Sequence, residues 1–246
     1  MKTKLSLFIA VLAVGLFGMG CASTEPAFVS DGLVAYYPFN GNAKDESGNG
    51  NDGELKGVDL TGDRHQKPNE AFEFTGKSRM TFEPSDIHKQ SNITISFWML
   101  LGGHKTGKSE ILVYRHEGFQ LFMLKRQTLN FGYWVGAGGI SWMDPVTVSL
   151  DQISKADWVM MTFTYDGKEQ CIMMNGKKIA SNSNLKPIKY DGSEPLVFGY
   201  NPHYFNQRLH DDQYFYGRLD DVRIYNRALS AEEVKALYDL EKPKTK

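Results

Sequence analysis

The feature that most constrains this chain is a hydrophobic period of two. In Val159-Met160-Met161-Thr162-Phe163-Thr164-Tyr165, the residues Val159, Met161, Phe163 and Tyr165 share one side. Ile93-Thr94-Ile95-Ser96-Phe97-Trp98 alternates in the same way. Only an extended strand sends successive side chains to opposite faces, so these runs read as strands and not as helices. Asp166-Gly167 and Asn175-Gly176 follow at short intervals. Both dipeptides tolerate the positive φ that tight hairpin turns require. Trp158 to Ser181 therefore reads as a three-stranded meander. Many short strands, punctuated by most of the 24 glycines, predict an all-β chain: a two-sheet antiparallel jelly-roll sandwich.

One segment departs from this pattern. Ser230 and Glu233 have the spacing of a capping box, and Leu229 and Val234 that of a hydrophobic staple. They predict one short C-terminal helix running to about Tyr238. The tail from Glu241 to Lys246, charged and containing Pro243, is expected to fray.

The first thirty residues read differently. Lys2 and Lys4 precede an apolar run, Leu5 to Met19, that is short for a membrane span and is followed by small residues. This is the layout of a signal peptide over residues 1–20. Cys21 stands directly after the run, within Gly20-Cys21-Ala22-Ser23. It resembles the lipobox cysteine of bacterial lipoproteins, although Gly18 stands where that family favours Leu. The resemblance implies an acylated Cys21, a tether over 21–30, and an exported protein anchored by lipid in the bacterial cell envelope. Cys171 is the only other cysteine and lies in the apolar stretch Gln170 to Met174, so it reads as a small buried hydrophobe.

Charge and motif tests exclude several classes. Lys plus Arg is 28 against 29 for Asp plus Glu, a net charge of -1. No strong positive field favours nucleic acid. Gly102-Gly103-His104-Lys105-Thr106-Gly107-Lys108-Ser109 matches the phosphate-binding loop pattern, but Glu110 to Tyr114 reads as a strand where a helix is required. Gly48-Asn49-Gly50-Asn51-Asp52-Gly53 matches a dinucleotide fingerprint and also lacks a following helix. Asp45-Glu46-Ser47-Gly48-Asn49-Gly50 fails as an EF-hand loop, because Lys56 occupies the twelfth position. No closely spaced carboxylate run of the glycosidase type exists, and no Gly-x-Ser-x-Gly elbow. The 6 histidines show no metal-ligand spacing.

Three stretches carry a family resemblance. They are Gly32-Leu33-Val34-Ala35-Tyr36-Tyr37-Pro38-Phe39-Asn40-Gly41-Asn42-Ala43, the segment from Asp157-Trp158 to Asn175-Gly176-Lys177, and Tyr216-Gly217-Arg218-Leu219-Asp220-Asp221-Val222-Arg223-Ile224-Tyr225-Asn226-Arg227-Ala228-Leu229-Ser230. Over about Asp31 to Asp239 the chain resembles the bacterial laminin G-like domains of the concanavalin A-like lectin/glucanase superfamily. The resemblance implies a domain over 31–240, a jelly roll with a concave face, and a structural calcium held by Asp220, the Asn40-Gly41 turn and Asp45. The alternative for Asp45 and Asp220 is that they cap turns by accepting backbone amides. It also implies a non-catalytic module for carbohydrate or protein.

A polysaccharide or glycan is the expected partner, together with the membrane through the acyl anchor. Two aromatic-rich loops supply candidate sugar platforms: Trp134 and Trp142 in one, Tyr200 and Tyr204 in the other, with Asn206 and Arg208 as polar partners. The competing readings are a glycoside hydrolase or polysaccharide lyase on the same fold, and a structural or protein-binding envelope lipoprotein. The anchor is directly testable. Metabolic labelling with a fatty acid is expected to mark the wild-type protein and to be lost in Cys21→Ala.

Overall fold

The computed structural model describes residues 26–82, 92–103, 109–115, 118–133, 145–183, 195–200 and 213–244. They contain strands β1 (Leu33–Tyr37), β2 (Glu54–Thr61), β3 (Ala71–Phe82), β4 (Ile93–Leu101), β5 (Glu110–Arg115), β6 (Phe119–Leu124) and β7 (Thr128–Tyr133). These are followed by β8 (Val146–Ser149), β9 (Val159–Tyr165), β10 (Gln170–Met174), β11 (Lys177–Asn182), β12 (Leu196–Phe198) and β13 (Tyr216–Tyr225). A single helical turn, α1 (Ala27–Ser30), precedes them, and α2 (Ala231–Glu241) closes the chain.

The strands form one antiparallel path, β11-β10-β9-β4-β13-β3-β12-β5-β6-β7-β8, with β1 on β13 and β2 on β3. This path becomes a sandwich because β3 serves two layers. Its first half pairs with β13, through Phe72 to Thr75, and its second half with β12, through Met80 to Phe82. The layers then face one another across aromatic rings. Phe163 of β9 meets Phe131 of β7 at 5.5 Å, and Phe97 of β4 meets Phe198 of β12 at 6.4 Å. The free edges β8 and β11 approach each other, so the sandwich is nearly closed. The jelly-roll expectation holds.

The period of two lands as read. Val159, Met161, Phe163 and Tyr165 all lie in the main core, opposite Ile93, Ile95, Phe97 and Met99. Their alternates are buried too. Trp98, Met160, Cys171 and Met173 form a second core on the outer face of the first layer, beneath Leu229, Val234 and Leu237. Val234 and Leu237 of α2 are fully covered, each contributing about 2 kcal/mol by burial. The capping box is present: Ser230 Oγ accepts from the Glu233 amide at 3.2 Å, and Glu233 Oε2 accepts from the Ser230 amide at 2.7 Å. The Asn175-Gly176 turn closes the β10–β11 hairpin with φ values of 49° and 76°. A Cβ on Gly176 would stand 3.0 Å from Lys235 Cα, so the same glycine lets α2 lie close.

Two boundaries differ from the sequence expectation. Among the described residues, packing is already present at α1, before Asp31. Val29 is buried, Phe28 packs on the second core, and the Val29 carbonyl accepts from the Tyr225 hydroxyl at 3.2 Å. Two apolar side chains inside a polar tether were enough to dock it. At the other end α2 continues past Tyr238 to Glu241, which is buried where a fraying tail was expected. Its carboxylate accepts from Trp98 Nε1 at 2.9 Å and from Arg223 Nε at 2.7 Å. Tertiary partners, not helix propensity, extend the last turn.

Glu241 belongs to a larger buried network. Arg64, in the β2–β3 connection, bridges two consecutive aspartates: Nη1 to Asp220 Oδ2 and Nη2 to Asp221 Oδ2, both at 2.5 Å. Neighbouring strand residues normally point to opposite faces. Here the β13–β4 register slips between Asp220 and Arg223, and Asp221 sits at φ 45°, so a bulge turns both carboxylates towards one guanidinium. Arg64 Nε also donates to the Glu241 carbonyl at 3.0 Å. Tyr36 of β1 donates to Asp221 at 2.5 Å, and its ring carries Arg223 at 3.7 Å.

Burial and the neighbouring Asp221 push the Asp220 carboxyl up to about 8, against the pull of Arg64. Burial also raises Glu241. Folded values above the unfolded ones mean that the native state holds more protons, so stability falls as pH rises. For the Asp220 group the melting temperature is expected to fall as pH rises from the ordinary carboxyl value of 3.8 to about 8. Asp220→Asn, which can still accept from Arg64, is expected to flatten that fall in a thermal-melt series. Glu241→Ala strands Arg223 and should cost about 3–5 kcal/mol in denaturant unfolding, as breaking a buried ion pair does.

Candidate functional site

The outer face of the first layer is occupied by α2, whereas the outer face of the second layer carries a groove. Strand register builds it. Val197 of β12 lies beside Thr81 of β3, Thr81 is paired with Glu54 of β2, and Lys56 faces Arg79 one step along. Period two puts Glu54, Lys56, Arg79, Thr81 and Val197 on one face. Pro195 and Tyr200 complete a groove of about 320 Å³.

Gly199 is what delivers Tyr200 to this edge. It follows β12 at φ +85°, a conformation that L side chains resist, and a Cβ there would come within 2.6 Å of Phe74 Cδ1. Its amide donates to the Leu112 carbonyl at 2.8 Å, and its carbonyl accepts from Phe215 at 3.0 Å. The chain is thereby held on both sides as it turns out of the sheet. The Tyr200 ring stacks on Tyr214, with centroids 5.2 Å apart and planes 15° from parallel. The Arg79 guanidinium stands 6.0 Å from the Tyr200 ring centre. Partial burial, followed by Tyr214, raises the Tyr200 hydroxyl, so it stays protonated and able to donate at neutral pH. The site thus offers a half-buried aromatic ring stacked on a second ring, two cations, one carboxylate and the hydroxyls of Tyr200 and Thr81.

Of the residues expected to contact sugar, Tyr200 is placed in this groove. Trp134, Trp142, Tyr204, Asn206 and Arg208 lie outside the described residues, as does Cys21. Arg79, Lys56 and Glu54 were missed. Their signal was present in the alternation of β2 and β3, but choosing the outward face needed the register of β12.

The calcium candidates are all described, and their oxygens are already engaged. Asp45 Oδ1 accepts from the amides of Tyr36 and Ser47, and Oδ2 from Asn51, each at 2.9 Å. Burial pushes this carboxyl up, but the amide donors outweigh it and hold Asp45 below its usual range. Asp220 accepts from Arg64 and, at 2.9 Å, from the Asp221 amide. The Asn40 carbonyl accepts from Asn42 at 3.1 Å. Asp45 holds the amide end of Tyr36 while Asp221 holds its hydroxyl end, so the length of a tyrosine separates the two acidic positions. Among the described residues no group of three or more His, Cys, Asp or Glu is arranged for a metal ion. These residues do not fit a calcium cage: Arg64 supplies the counter-charge beside Asp220, and Asp45 organises a turn. Arg64 lies 156 residues from Asp220, and no local pattern announces the pairing.

Comparison with known proteins agrees with the architecture. The model of the concanavalin A-like lectin/glucanases superfamily (Laminin_G_3) matches residues 74–235. No curated protein matches the chain. Among solved structures, the binding domain of Paraclostridial Mosquitocidal Protein 1 superposes with a TM-score of 0.67 at 24% identity, covering 86% of this chain and 53% of that one. The receptor-binding domain of botulinum neurotoxin C/D mosaic serotype gives 0.65 at 15%, covering 86% and 52%. Botulinum neurotoxin type C, whose cell entry depends on interaction with two ganglioside molecules, gives 0.64 at 15%, covering 87% and 52%. The chain spans about half the length of these solved chains. Fold, register and family model converge: the chain belongs to the concanavalin A-like lectin/glucanases superfamily.

Proposed function

We propose that this domain is a non-catalytic binding module that takes a glycan in the groove beside Tyr200. The observation that carries the reading is the Tyr200 ring, braced on Tyr214 at the lip of a groove that also presents a hydroxyl, a guanidinium and a carboxylate. A sugar offers C–H bonds to an aromatic face and hydroxyls to polar neighbours, and both kinds of contact are available here. The similarity to toxin binding domains supports a binding role, and the ganglioside dependence of one of them supports a sugar ligand.

Hydrolysis of a glycosidic bond generally needs two carboxyl groups flanking it. Glu54 is the one carboxylate among the described residues that line the groove. Export and acylation of Cys21, read from the apolar run ahead of it, would place the module at the cell envelope, where polysaccharide is the abundant ligand. Many anchored copies would then raise a modest single-site affinity by multivalency.

The test is a panel of soluble and insoluble polysaccharides, assayed in parallel for pull-down by the full chain and for released reducing or unsaturated ends. Retention without release is the expected outcome, and release of product overturns the reading. Tyr200→Ala should weaken retention by about fivefold, the loss of about 1 kcal/mol of stacking, with little change in melting temperature.

A further inference from the structure

Lys56 and Arg79 pose a problem that the fold does not answer. They are direct partners across the β2–β3 ladder, on the outward face. Like charges placed opposite one another on a sheet face are destabilising. Four other described arginines pair with carboxylates: Arg64 with Asp220 and Asp221, Arg126 with Glu110, Arg223 with Glu241 and Arg227 with Glu233. Neither Lys56 nor Arg79 forms an ion pair among the described residues; the Arg79 guanidinium stands 6.0 Å from the Tyr200 ring centre. Both line the groove, and Glu54 leaves an excess of one positive charge among the described lining residues.

We infer that the groove selects acidic glycans, sugars bearing a carboxylate or a sulfate ester. This deepens the glycan reading above and rests on it. A pyranose ring lying on Tyr200 would put an equatorial substituent within reach of Arg79, whose guanidinium stands 6.0 Å from that ring centre. The planar fork of arginine matches the two oxygens of a carboxylate or sulfate, and Lys56 adds a second charge from the facing strand. The bound anion would neutralise the cross-strand repulsion, so the ligand supplies the counter-charge that the protein omits. Glu54, beside them, would accept from neutral hydroxyls and disfavour an anion at its own end, which sets a direction for the sugar.

The experiment measures binding of the full chain to polygalacturonate, dextran sulfate and unmodified dextran at low and moderate salt. The two acidic polymers are expected to bind with salt-sensitive affinity and dextran to bind weakly. The polymer that binds tighter shows whether carboxylate or sulfate is preferred. Lys56→Gln and Arg79→Gln should each weaken acidic-polymer binding about tenfold, the scale of a charge-assisted hydrogen bond. Their melting temperatures should be unchanged or raised, since a repulsion is removed. Lys177→Gln, an exposed cation on β11 away from the groove, controls for general attraction to a polyanion and should leave binding unchanged. Equal binding of dextran and dextran sulfate overturns acid selectivity while the glycan reading stands. An effect of Lys177→Gln equal to that of Arg79→Gln overturns the assignment to this groove. Absence of binding to these polymers and to the whole neutral panel overturns both readings.

Discussion

Arg64 is the residue on which five separate parts of the chain meet. Its guanidinium joins Asp220 and Asp221 on β13, lies 4.8 Å from the Trp98 ring on β4, and donates to the Glu241 carbonyl at the end of α2. Through Asp221 it reaches Tyr36 on β1, and it is itself part of the β2–β3 connection. Buried charges cost desolvation energy that only complete pairing offsets. Pairing here is close to complete, since each carboxylate oxygen of Asp220, Asp221 and Glu241 has a donor. Such a cluster specifies geometry more than it adds stability. An alternative packing of α2 would leave Arg223 and Glu241 without their partners.

The network shapes only one of the two outer faces of the sandwich. On the first layer it fixes the C-terminal turn of α2, while the capping box and Leu229 fix its start. That face is closed by apolar packing against Trp98, Met160, Cys171 and Met173. At the far side Arg126 performs a similar task, reaching from the β6–β7 turn to Glu110 and to the carbonyls of Gly102 and Tyr216. The outer face around β2, β3 and β12 keeps an excess of one positive charge among the described groove residues.

What could be read from the sequence was what depends on near neighbours. The β9–β10–β11 meander, the Asn175-Gly176 turn, the buried Cys171 and the capped helix all follow from patterns shorter than ten residues. What escaped depends on distant partners. The bulge at Asp221 arises where β13 meets β4, and Arg64 finds its aspartates across more than half the chain. Adjacent carboxylates at Asp220 and Asp221 announce a need for a cation, but not that the Arg64 guanidinium stands against both. In the groove, Tyr200 was legible as an aromatic in a polar loop. Its neighbours Lys56 and Arg79 were not, because strand order decides which outward residues share a surface.

The short strand that carries Tyr200 has a mechanical consequence. A pull between Tyr200 and the N-terminal end of the domain crosses three ladders in series: β12 on β3, β3 on β13, and β13 on β1. The first of these pairs only Leu196, Val197 and Phe198 with Phe82, Thr81 and Met80, and it is the shortest in the path. Leu196 and Phe198 also pack into the main core, so side-chain burial adds to those few ladder bonds. Tyr200 is therefore held in place by a three-residue strand, paired on both edges by β3 and β5 and rooted in the core by two side chains.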